Sequence, residues 1–322
     1  MSNSLIPLNT LRSKRLAAVD VGSNTLRLLI ADVDGAHRIT PLRGAREMTR
    51  LGKGMIVTGR LSDDAMERSL QALTGFAGLI REAAPERVVA AATSAVREAA
   101  NGPEFVARVR TETGLDLRMI DGEEEGRLTS LGAASVLTGD TRDLLIVDIG
   151  GGSTEFILVK GGERHKAVSV PLGVVTATER CISGAPATPR DLYELDDYIR
   201  GHMAEVRRRL GDVGRVRLVA TAGTPTTLAA IDQEMIVYRP ERINNYVLPL
   251  ERVEELHGWL ASLGLDDRRR VVGIESGREE VMVAGCAILL RIMQDYHFAA
   301  VAVSDSGLRE GMIIDLFERM GK

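Results

Sequence analysis

The chain has 322 residues, of which 44% are hydrophobic, 27% are charged and 3% are aromatic, and its formal net charge is −4. This length and composition indicate a globular protein of about two domains with a proper hydrophobic core. The negative charge excludes a general attraction to nucleic acid, and the few aromatic side chains leave little for bases to stack on. A bound polyanion therefore requires a local cluster of arginine and lysine.

The cysteines and the hydrophobic runs indicate a cytoplasmic protein. Cys181 and Cys286 are far apart and in no metal-binding spacing, which is typical of reduced thiols. Residues 1–15 are polar and lack the apolar core of a signal peptide, so they predict a loose tail. The longest apolar run, residues 281–290, is too short to cross a bilayer. We therefore predict a cytoplasmic location and no membrane partner.

Strands and helices alternate along the chain, and the pattern begins again near its middle. The first half predicts strands at residues 16–20, 26–33, 88–92 and 116–120, with helices from Ser62 to before Pro85, at 93–109 and at 124–136. The second half predicts strands at 144–148, 155–160, 216–221 and 299–303, with helices at 188–210, 224–234, 250–260, 278–296 and 308–320. This order indicates two α/β halves related by duplication, each beginning with a β-hairpin, and a closing C-terminal helix.

A strand–turn–strand motif occurs twice and is the most informative pattern. Residues 19–22 match residues 147–150, and an apolar trio follows each copy at the same offset. Each copy is a strand ending in Asp, a turn of Gly, Ser and Thr, and a second strand. Small residues let backbone N–H groups approach an anion, a hydroxyl adds a donor, and the Asp is suited to hold a cation or a water. Two such loops facing each other predict a phosphate clamp.

The simpler interpretation of the glycines at 150–152 is a tight hairpin. The strand after each loop argues against a Walker loop and against a dinucleotide-binding turn, which both open a helix. A third small-residue loop, residues 221–224, also follows a buried strand. Three such loops predict one phosphate cleft. The phosphate-binding candidates are Gly22, Ser23, Asn24, Thr25, Gly150, Gly151, Gly152, Ser153, Gly223 and Thr224.

Two charged features each have two interpretations. The run Glu123, Glu124 and Glu125 is suited to the first turn of a helix, where the helix dipole stabilises negative charge. It also lies at a strand end, where a carboxylate can accept a proton from a water that attacks a phosphoryl group. Arg97, just past another strand, is either a surface cation or a ligand for phosphate oxygens.

These segments together resemble the exopolyphosphatase/guanosine pentaphosphate phosphatase family, within the actin, sugar-kinase and Hsp70 superfamily. The matching segments are AVDVGSNT (18–25), LGKG (51–54), TGRLS (58–62), TSAVR (93–97), GEEEGRL (122–128), DIGGGSTE (148–155), AGT (222–224) and SDSGLREG (304–311). Each segment alone is a weak signal, but the set occurs in the order of the family and covers residues 16–320.

The resemblance implies an α/β fold of two duplicated ribonuclease H-like (actin-like ATPase) domains with an interdomain cleft. Domain I is predicted at residues 1–127 plus 307–322, closed by the C-terminal helix, and domain II at 128–306. The chain resembles the short form of the family, without additional C-terminal helical domains, so short polyphosphate chains are the expected substrates. A homodimer is also implied.

The resemblance further implies residue roles. Glu125 is expected to be the catalytic base, preferred over Glu124 because the Gly-Arg that follows sets the alignment. Asp148 and Glu155 match acidic residues that handle Mg²⁺ or another divalent cation and the water, and Asp20 is a further metal candidate. Arg97 is expected to bind a phosphate oxygen.

The leading hypothesis is a phosphoanhydride hydrolase, namely a Mg²⁺-dependent exopolyphosphatase that releases terminal orthophosphate from inorganic polyphosphate. The alternative is hydrolysis of the 5′ γ-phosphate of guanosine pentaphosphate (pppGpp), because the two activities share one site. Two hypotheses from other classes are an ATP-dependent kinase or ATPase that binds ATP through the loop at 222–224, and a non-catalytic sensor of a phosphorylated alarmone.

Overall fold

The structure is a computed structural model that describes residues 13–321. Its strands are β1 (Lys14–Val21), β2 (Leu26–Val33), β3 (Ile39–Glu47), β4 (Arg87–Ala92), β5 (Leu117–Met119), β6 (Leu144–Ile149), β7 (Thr154–Lys160), β8 (Glu163–Val170), β9 (Arg217–Thr221), β10 (Val247–Pro249) and β11 (Ala300–Val303). Its helices are α1 (Met55–Thr58), α2 (Asp63–Ala83), α3 (Ser94–Glu98), α4 (Gly102–Thr113), α5 (Gly122–Ala134), α6 (Val174–Cys181), α7 (Pro189–Leu210), α8 (Gly223–Asp232), α9 (Pro240–Ile243), α10 (Leu250–Ser262), α11 (Leu265–Arg269), α12 (Met282–Asp295) and α13 (Leu308–Gly321).

The two halves have the same sheet topology, which confirms the predicted duplicated α/β fold. The first sheet has the order β3-β2-β1-β4-β5, and the second has the order β10-β11-β9-β6-β7-β8. In each sheet, three consecutive strands form an antiparallel meander, and the first of these strands pairs on its other side with a parallel strand. The second sheet adds β10 as an antiparallel edge strand.

The central strands are mostly apolar because both of their faces are covered. In β1, every residue of the run 16–19 is fully buried. Ala17 and Val19 belong to the core that includes residues of α2 and α4, whereas Leu16 and Ala18 belong to a second core with α13. Helix α13 therefore packs on the first sheet, and the predicted bounds of the two domains stay predictions.

Helices α5 and α13 touch through their backbones between the two sheets. A Cβ atom on Gly132 would lie 1.9 Å from the Gly307 carbonyl oxygen, and one on Gly311 would lie 1.7 Å from that of Leu128. Only glycine allows this approach. Helix α13 packs on β1, β2 and β4, while α5 also packs on β7 and β8. The predicted domain boundary at residue 127 falls inside α5 and stays a prediction.

The structure corrects several predicted elements. The single helix expected at 93–109 is two helices, because the chain turns between them and the Asn101 amide hydrogen-bonds the Leu61 backbone at 2.8 and 2.9 Å. Strands β3, β8 and β10 and helices α1, α6, α9 and α11 were not predicted. Lys14 and Arg15, assigned to the tail, begin β1; residues 1–12 of that predicted tail lie outside the described residues. Within residues 13–321, no helix is long and apolar enough to cross a membrane.

Candidate active site

A cleft of about 100 Å³ lies between the two sheets at the ends of β1, β6, β9 and β11. Its walls are the two hairpin loops, the loop after β9, and the first turns of α5 and α13. The predicted site residues on these walls are Asp20, Gly22, Ser23, Asn24, Thr25, Glu125, Asp148, Gly150, Gly151, Ser153, Gly223 and Thr224. The predicted residues Arg97, Gly152 and Glu155 are not on the cleft surface.

The two hairpin loops have the same backbone geometry. The Gly22 N–H donates to the Thr25 carbonyl at 3.3 Å, and the Gly150 N–H donates to the Ser153 carbonyl at 3.0 Å. A Cβ atom at either glycine would lie within 2.9 to 3.0 Å of that same carbonyl oxygen. Both turns therefore require glycine at this position.

The hairpin loops also touch each other across the cleft. A Cβ atom on Gly151 would lie 2.9 Å from the Cβ of Ser23, and one on Gly152 would lie 2.3 Å from the hydroxyl oxygen of Ser94. The Ser23 and Ser94 hydroxyls share a hydrogen bond of 3.0 Å. Gly152 therefore gives room for this contact, and its role as a phosphate ligand stays a prediction.

The two hairpins differ in charge at one matching position. In the first hairpin Asp20 lies directly opposite Arg27, whereas in the second Asp148 lies directly opposite Glu155. Opposite residues of an antiparallel pair project from the same face of the sheet, so each pair consists of neighbouring side chains. One side of the cleft thus has a mixed acid–base pair, and the other has two neighbouring carboxylates, of which Asp148 lines the cleft and Glu155 is buried beside it.

Helix α5 brings Glu125 into the cleft. Asp121 caps the helix by accepting the Glu124 N–H at 2.8 Å, which sets the following residues in its first turn. Glu125 is 7% exposed, whereas Glu124 pairs with Arg118 at 2.7 Å at the surface. Among the three glutamates, only Glu125 lines the cleft.

Arg97 contacts Glu125 rather than the cleft. Its guanidinium donates to the Glu125 carboxylate at 3.2 Å and to the Ile120 carbonyl at 2.8 Å. This pair of contacts fixes the direction in which the carboxylate points. The expected role of Arg97 as a phosphate ligand stays a prediction, whereas its position beside the candidate base is a structural fact.

The carboxylates around the cleft have raised pKa values. Burial raises the pKa of Glu125 well above its usual value, and the charges of Glu155 and Asp148 raise it further. Burial, with the Asp148 charge, raises the pKa of Glu155 to about 7. Burial also raises the pKa of Asp20 to about 6, against the opposing effect of Arg27. Buried carboxylates with near-neutral pKa values are typical of general bases and of cation sites.

The acidic residues fit a hydrated divalent cation. The Asp148 carboxylate accepts the Thr129 hydroxyl at 3.1 Å, and Glu155 accepts the Ser169 hydroxyl at 2.8 Å, so each keeps one oxygen free of these bonds. No three His, Cys, Asp or Glu side chains in the part of the chain that the structure describes are close enough to enclose an ion by themselves. Mg²⁺ usually needs only one or two carboxylates, because it keeps several waters and takes substrate oxygens.

Three arginines of the cleft were not predicted as site residues, namely Arg27, Arg278 and Arg309. Arg278 is 6% exposed and packs so closely on Gly223 that a Cβ there would lie 1.6 Å from a guanidinium nitrogen. Burial, with the nearby Arg27 charge, lowers the pKa of Arg278 to about 10. An anion between these arginines would relieve that repulsion. Arg27 could have been found from the sequence, because it stands at the same offset from Asp20 as Glu155 from Asp148.

The loop after β9 carries backbone strain beside these arginines. Ala222 has a φ of 73°, a left-handed conformation that a non-glycine residue rarely adopts. The Thr221 hydroxyl donates to the Ser306 carbonyl at 3.0 Å, which ties this loop to the segment before α13. Such strain is common where a backbone is held open for a ligand.

The duplicated sheets, the interdomain cleft and its three small-residue loops define a two-domain protein of the actin-like fold. The Ppx/GppA phosphatase family matches residues 29–320 of the chain. The chain therefore belongs to the Ppx/GppA phosphatase family, and it is a hydrolase.

Curated and solved relatives agree with this assignment. Exopolyphosphatase 2 of Mycobacterium tuberculosis is 31% identical over 317 residues, which cover 94% of this chain and 98% of the relative. The crystal structure of the Aquifex aeolicus Ppx/GppA family member superposes with a TM-score of 0.81 at 31% identity, covering 97% of this chain and 100% of that one. An exopolyphosphatase structure from Cytophaga hutchinsonii gives a TM-score of 0.87 at 26% identity, covering 95% and 98%.

Proposed function

We propose that this protein is an exopolyphosphatase, which hydrolyses the terminal phosphoanhydride bond of inorganic polyphosphate and releases orthophosphate. The observation that carries the proposal is the position of Glu125 in a small cleft, opposite two glycine hairpins that present backbone N–H groups. Its volume of about 100 Å³ admits the end of a phosphate chain and not its length. Curated relatives named as exopolyphosphatases support the same substrate class.

The reaction needs a base, an anion cradle and a neutralised leaving group. Glu125 accepts a proton from a water, and the water oxygen forms a bond to the terminal phosphorus as the bridging P–O bond breaks. The amides of the two hairpin loops hold the oxygens of the terminal phosphoryl group in place. Arg27 and Arg278 neutralise charge on the next phosphates.

A divalent cation would be held by Asp148 and Glu155, with Asp20 facing them from the first hairpin. When bound, Mg²⁺ supplies charge neutralisation to the phosphate oxygens. The raised pKa values of Glu155 and Asp20 support this assignment, because a cation would remove the repulsion between buried carboxylates.

Hydrolysis of guanosine pentaphosphate is the second candidate. A groove of about 290 Å³ adjoins the cleft, shares Arg27, Arg278, Asp305 and Arg309 with it, and contains Tyr238. An aromatic ring beside a phosphate cleft favours a nucleoside substituent.

A homodimer and a cytoplasmic location also stay predictions. Sedimentation velocity of the purified chain checks whether it is a dimer.

The test is phosphate release measured side by side on tripolyphosphate, long-chain polyphosphate, guanosine pentaphosphate and ATP. Each substrate is assayed with Mg²⁺ and with excess chelator. We expect Mg²⁺-dependent release from polyphosphate to have the highest kcat/KM. Release from ATP alone, or release that does not change with chelator, would contradict the proposal.

A further inference from the structure

A second groove, of about 410 Å³, lies outside the cleft and is strongly basic. It is lined by Met48, Thr49, Arg50, Lys53, Arg68, Ser276 and Gly277, and we call it the basic groove. Three of these side chains are cations and none is a carboxylate. The residues at 48–68 come from the half that holds the first sheet, and Ser276 and Gly277 come from the other half, so the groove crosses between them.

The cations of the basic groove are available to a ligand. Within residues 13–321, neither Lys53 nor Arg68 forms an ion pair, although most arginines of the chain do. Arg68 donates one N–H to the Thr49 carbonyl at 3.2 Å, which holds its guanidinium at the groove. Arg50 pairs with Glu280 at 3.1 Å. Two unpaired cations on one wall make this groove a site for an anion of several charges.

Thr49 adds a second, independent observation. The side chain is 4% exposed, and its hydroxyl has no hydrogen-bond partner among the described residues. Buried hydroxyls in proteins are almost always paired, so an unpaired one at a basic groove indicates a ligand oxygen as the missing partner. Phosphate oxygens accept hydrogen bonds from hydroxyls as well as from cations.

The basic groove and the cleft both adjoin a small pocket. This pocket, which we call the passage, has a volume of about 50 Å³ and is lined by Asn24, which also lines the cleft, and by Arg50 and Lys53, which also line the basic groove. Two carboxylates of the passage are already engaged, because Glu280 pairs with Arg50 and Glu179 accepts the Gly54 N–H at 2.9 Å. The groove beside Tyr238 has two carboxylates, Glu275 and Asp305, beside its four arginines, whereas the basic groove has no carboxylate.

We propose that the basic groove binds distal phosphates of a long polyphosphate chain whose end lies in the cleft. This assignment rests on the proposed function and names long chains as a substrate class. A tripolyphosphate or a guanosine pentaphosphate is too short to occupy the cleft and the basic groove together. The groove therefore favours long chains without changing the chemistry at the terminal phosphate.

The test compares substrates of different length on one double variant, Lys53→Gln with Arg68→Gln. We expect kcat/KM on long-chain polyphosphate to fall about tenfold, because two charged contacts are lost. On tripolyphosphate and guanosine pentaphosphate the change stays within about twofold. Thr49→Val, which keeps the shape of the side chain, is expected to give a smaller loss that is confined to long chains. Lys53→Arg, which keeps the positive charge, is expected to retain activity on long chains.

The matched control is Arg87→Gln with Arg110→Gln, which removes from β4 and α4 of the same half two exposed cations that form no ion pair with any described residue. Thermal unfolding verifies that both double variants fold. An equal loss on long and short substrates, or the same loss in the control, would mean general attraction and would overturn the assignment. No loss on long chains would overturn it as well.

Direct binding separates this proposal from the proposed function. If the protein releases no phosphate from any chain, the function is wrong, and calorimetry with long-chain polyphosphate still tests the groove. Weaker binding in the Lys53/Arg68 variant than in the control supports the groove, and equal binding overturns it. If the wild-type chain binds two tripolyphosphates and the Lys53/Arg68 variant binds one, the basic groove is a site for a separate short anion and not for the distal part of a long chain, and the assignment is overturned.

Discussion

The two hairpin loops have the same backbone geometry but carry side chains of opposite charge at one matching position. Asp20 faces Arg27 in the first hairpin, and Asp148 faces Glu155 in the second, at the same register position. Both turns close with the same glycine-donated hydrogen bond. A duplicated framework therefore supplies the same loop geometry twice, and the two copies differ in charge at a single matching position.

This difference divides the work of the cleft. The hairpin with Arg27 attracts an anion, and the hairpin with Glu155 repels one unless a proton or a cation is present. Glu125 on α5 stands beside the second hairpin, since Glu155 and Asp148 are the charges that raise its pKa most after burial. We infer that the first hairpin mainly binds the substrate and the second mainly activates the water.

The largest effect is expected for Glu125→Gln. Removal of the general base should lower kcat by about a hundredfold or more with little change in thermal stability. Glu124→Gln, which alters the neighbouring glutamate that pairs with Arg118, is the matched control and should stay close to wild type. Phosphate release from tripolyphosphate measures both. Near-normal turnover in Glu125→Gln would place the base elsewhere.

Glu155→Gln tests the acidic hairpin. We expect kcat to fall about 10- to 100-fold, because the variant weakens the group that we propose to hold the cation and the water. The variant also removes a charge that raises the pKa of Glu125, so the acid limb of the pH–kcat profile should move to lower pH. A drop in activity with an unmoved acid limb would show that Glu155 does not act on Glu125.

Arg27→Gln tests the basic hairpin. Loss of one charge-assisted contact to phosphate should raise KM about tenfold on every substrate, with a smaller change in kcat. Arg43→Gln removes an exposed arginine of β3 that pairs with Glu82 and is the control. If Arg27→Gln lowers kcat as strongly as Glu155→Gln does, the proposed division between the two hairpins is wrong.

The smallest effect is a pH-dependent difference in stability between wild type and Glu155→Gln without metal. The pKa of Glu155 is raised from 4.5 to about 7 in the fold, so its contribution to stability is complete below pH 4.5 and is lost as the pH rises toward 7. The glutamine variant lacks this loss, so its free energy of unfolding should rise relative to that of the wild type between pH 4.5 and pH 7. Denaturant unfolding at several pH values measures the difference in unfolding free energy between the two proteins, and Mg²⁺ should decrease this difference. A difference that does not change with pH would contradict the raised pKa of Glu155.

The fold and the loops of the site could be predicted because their signals are local. Each hairpin combines an apolar strand, a terminal Asp and small residues within a few positions, and the repeat at Asp148 confirms the pattern at Asp20. Strands β3 and β8 were missed because they pair at sheet edges and carry mostly polar, exposed residues. Their formation depends on a neighbouring strand rather than on their own pattern.

The rest of the site depends on packing between distant segments. Arg278 reaches Gly223 from a loop before α12, and no spacing in the sequence links the two. Arg97 was recognised as a candidate, but its contact with Glu125 follows from the way α3 and α5 meet. The helix break before Asn101 depends likewise on a hydrogen bond to Leu61.

The glycine contact between α5 and α13 has a consequence for biosynthesis. Helix α5, which carries Glu125, leans on α13 through Gly132 and Gly311, and α13 also places Arg309 in the cleft. A ribosome makes α13 only after the whole second sheet, so α5 lacks this support through most of translation. If Glu125 is the base, as proposed, a nascent chain that has folded both sheets should gain activity only once the last helix has docked.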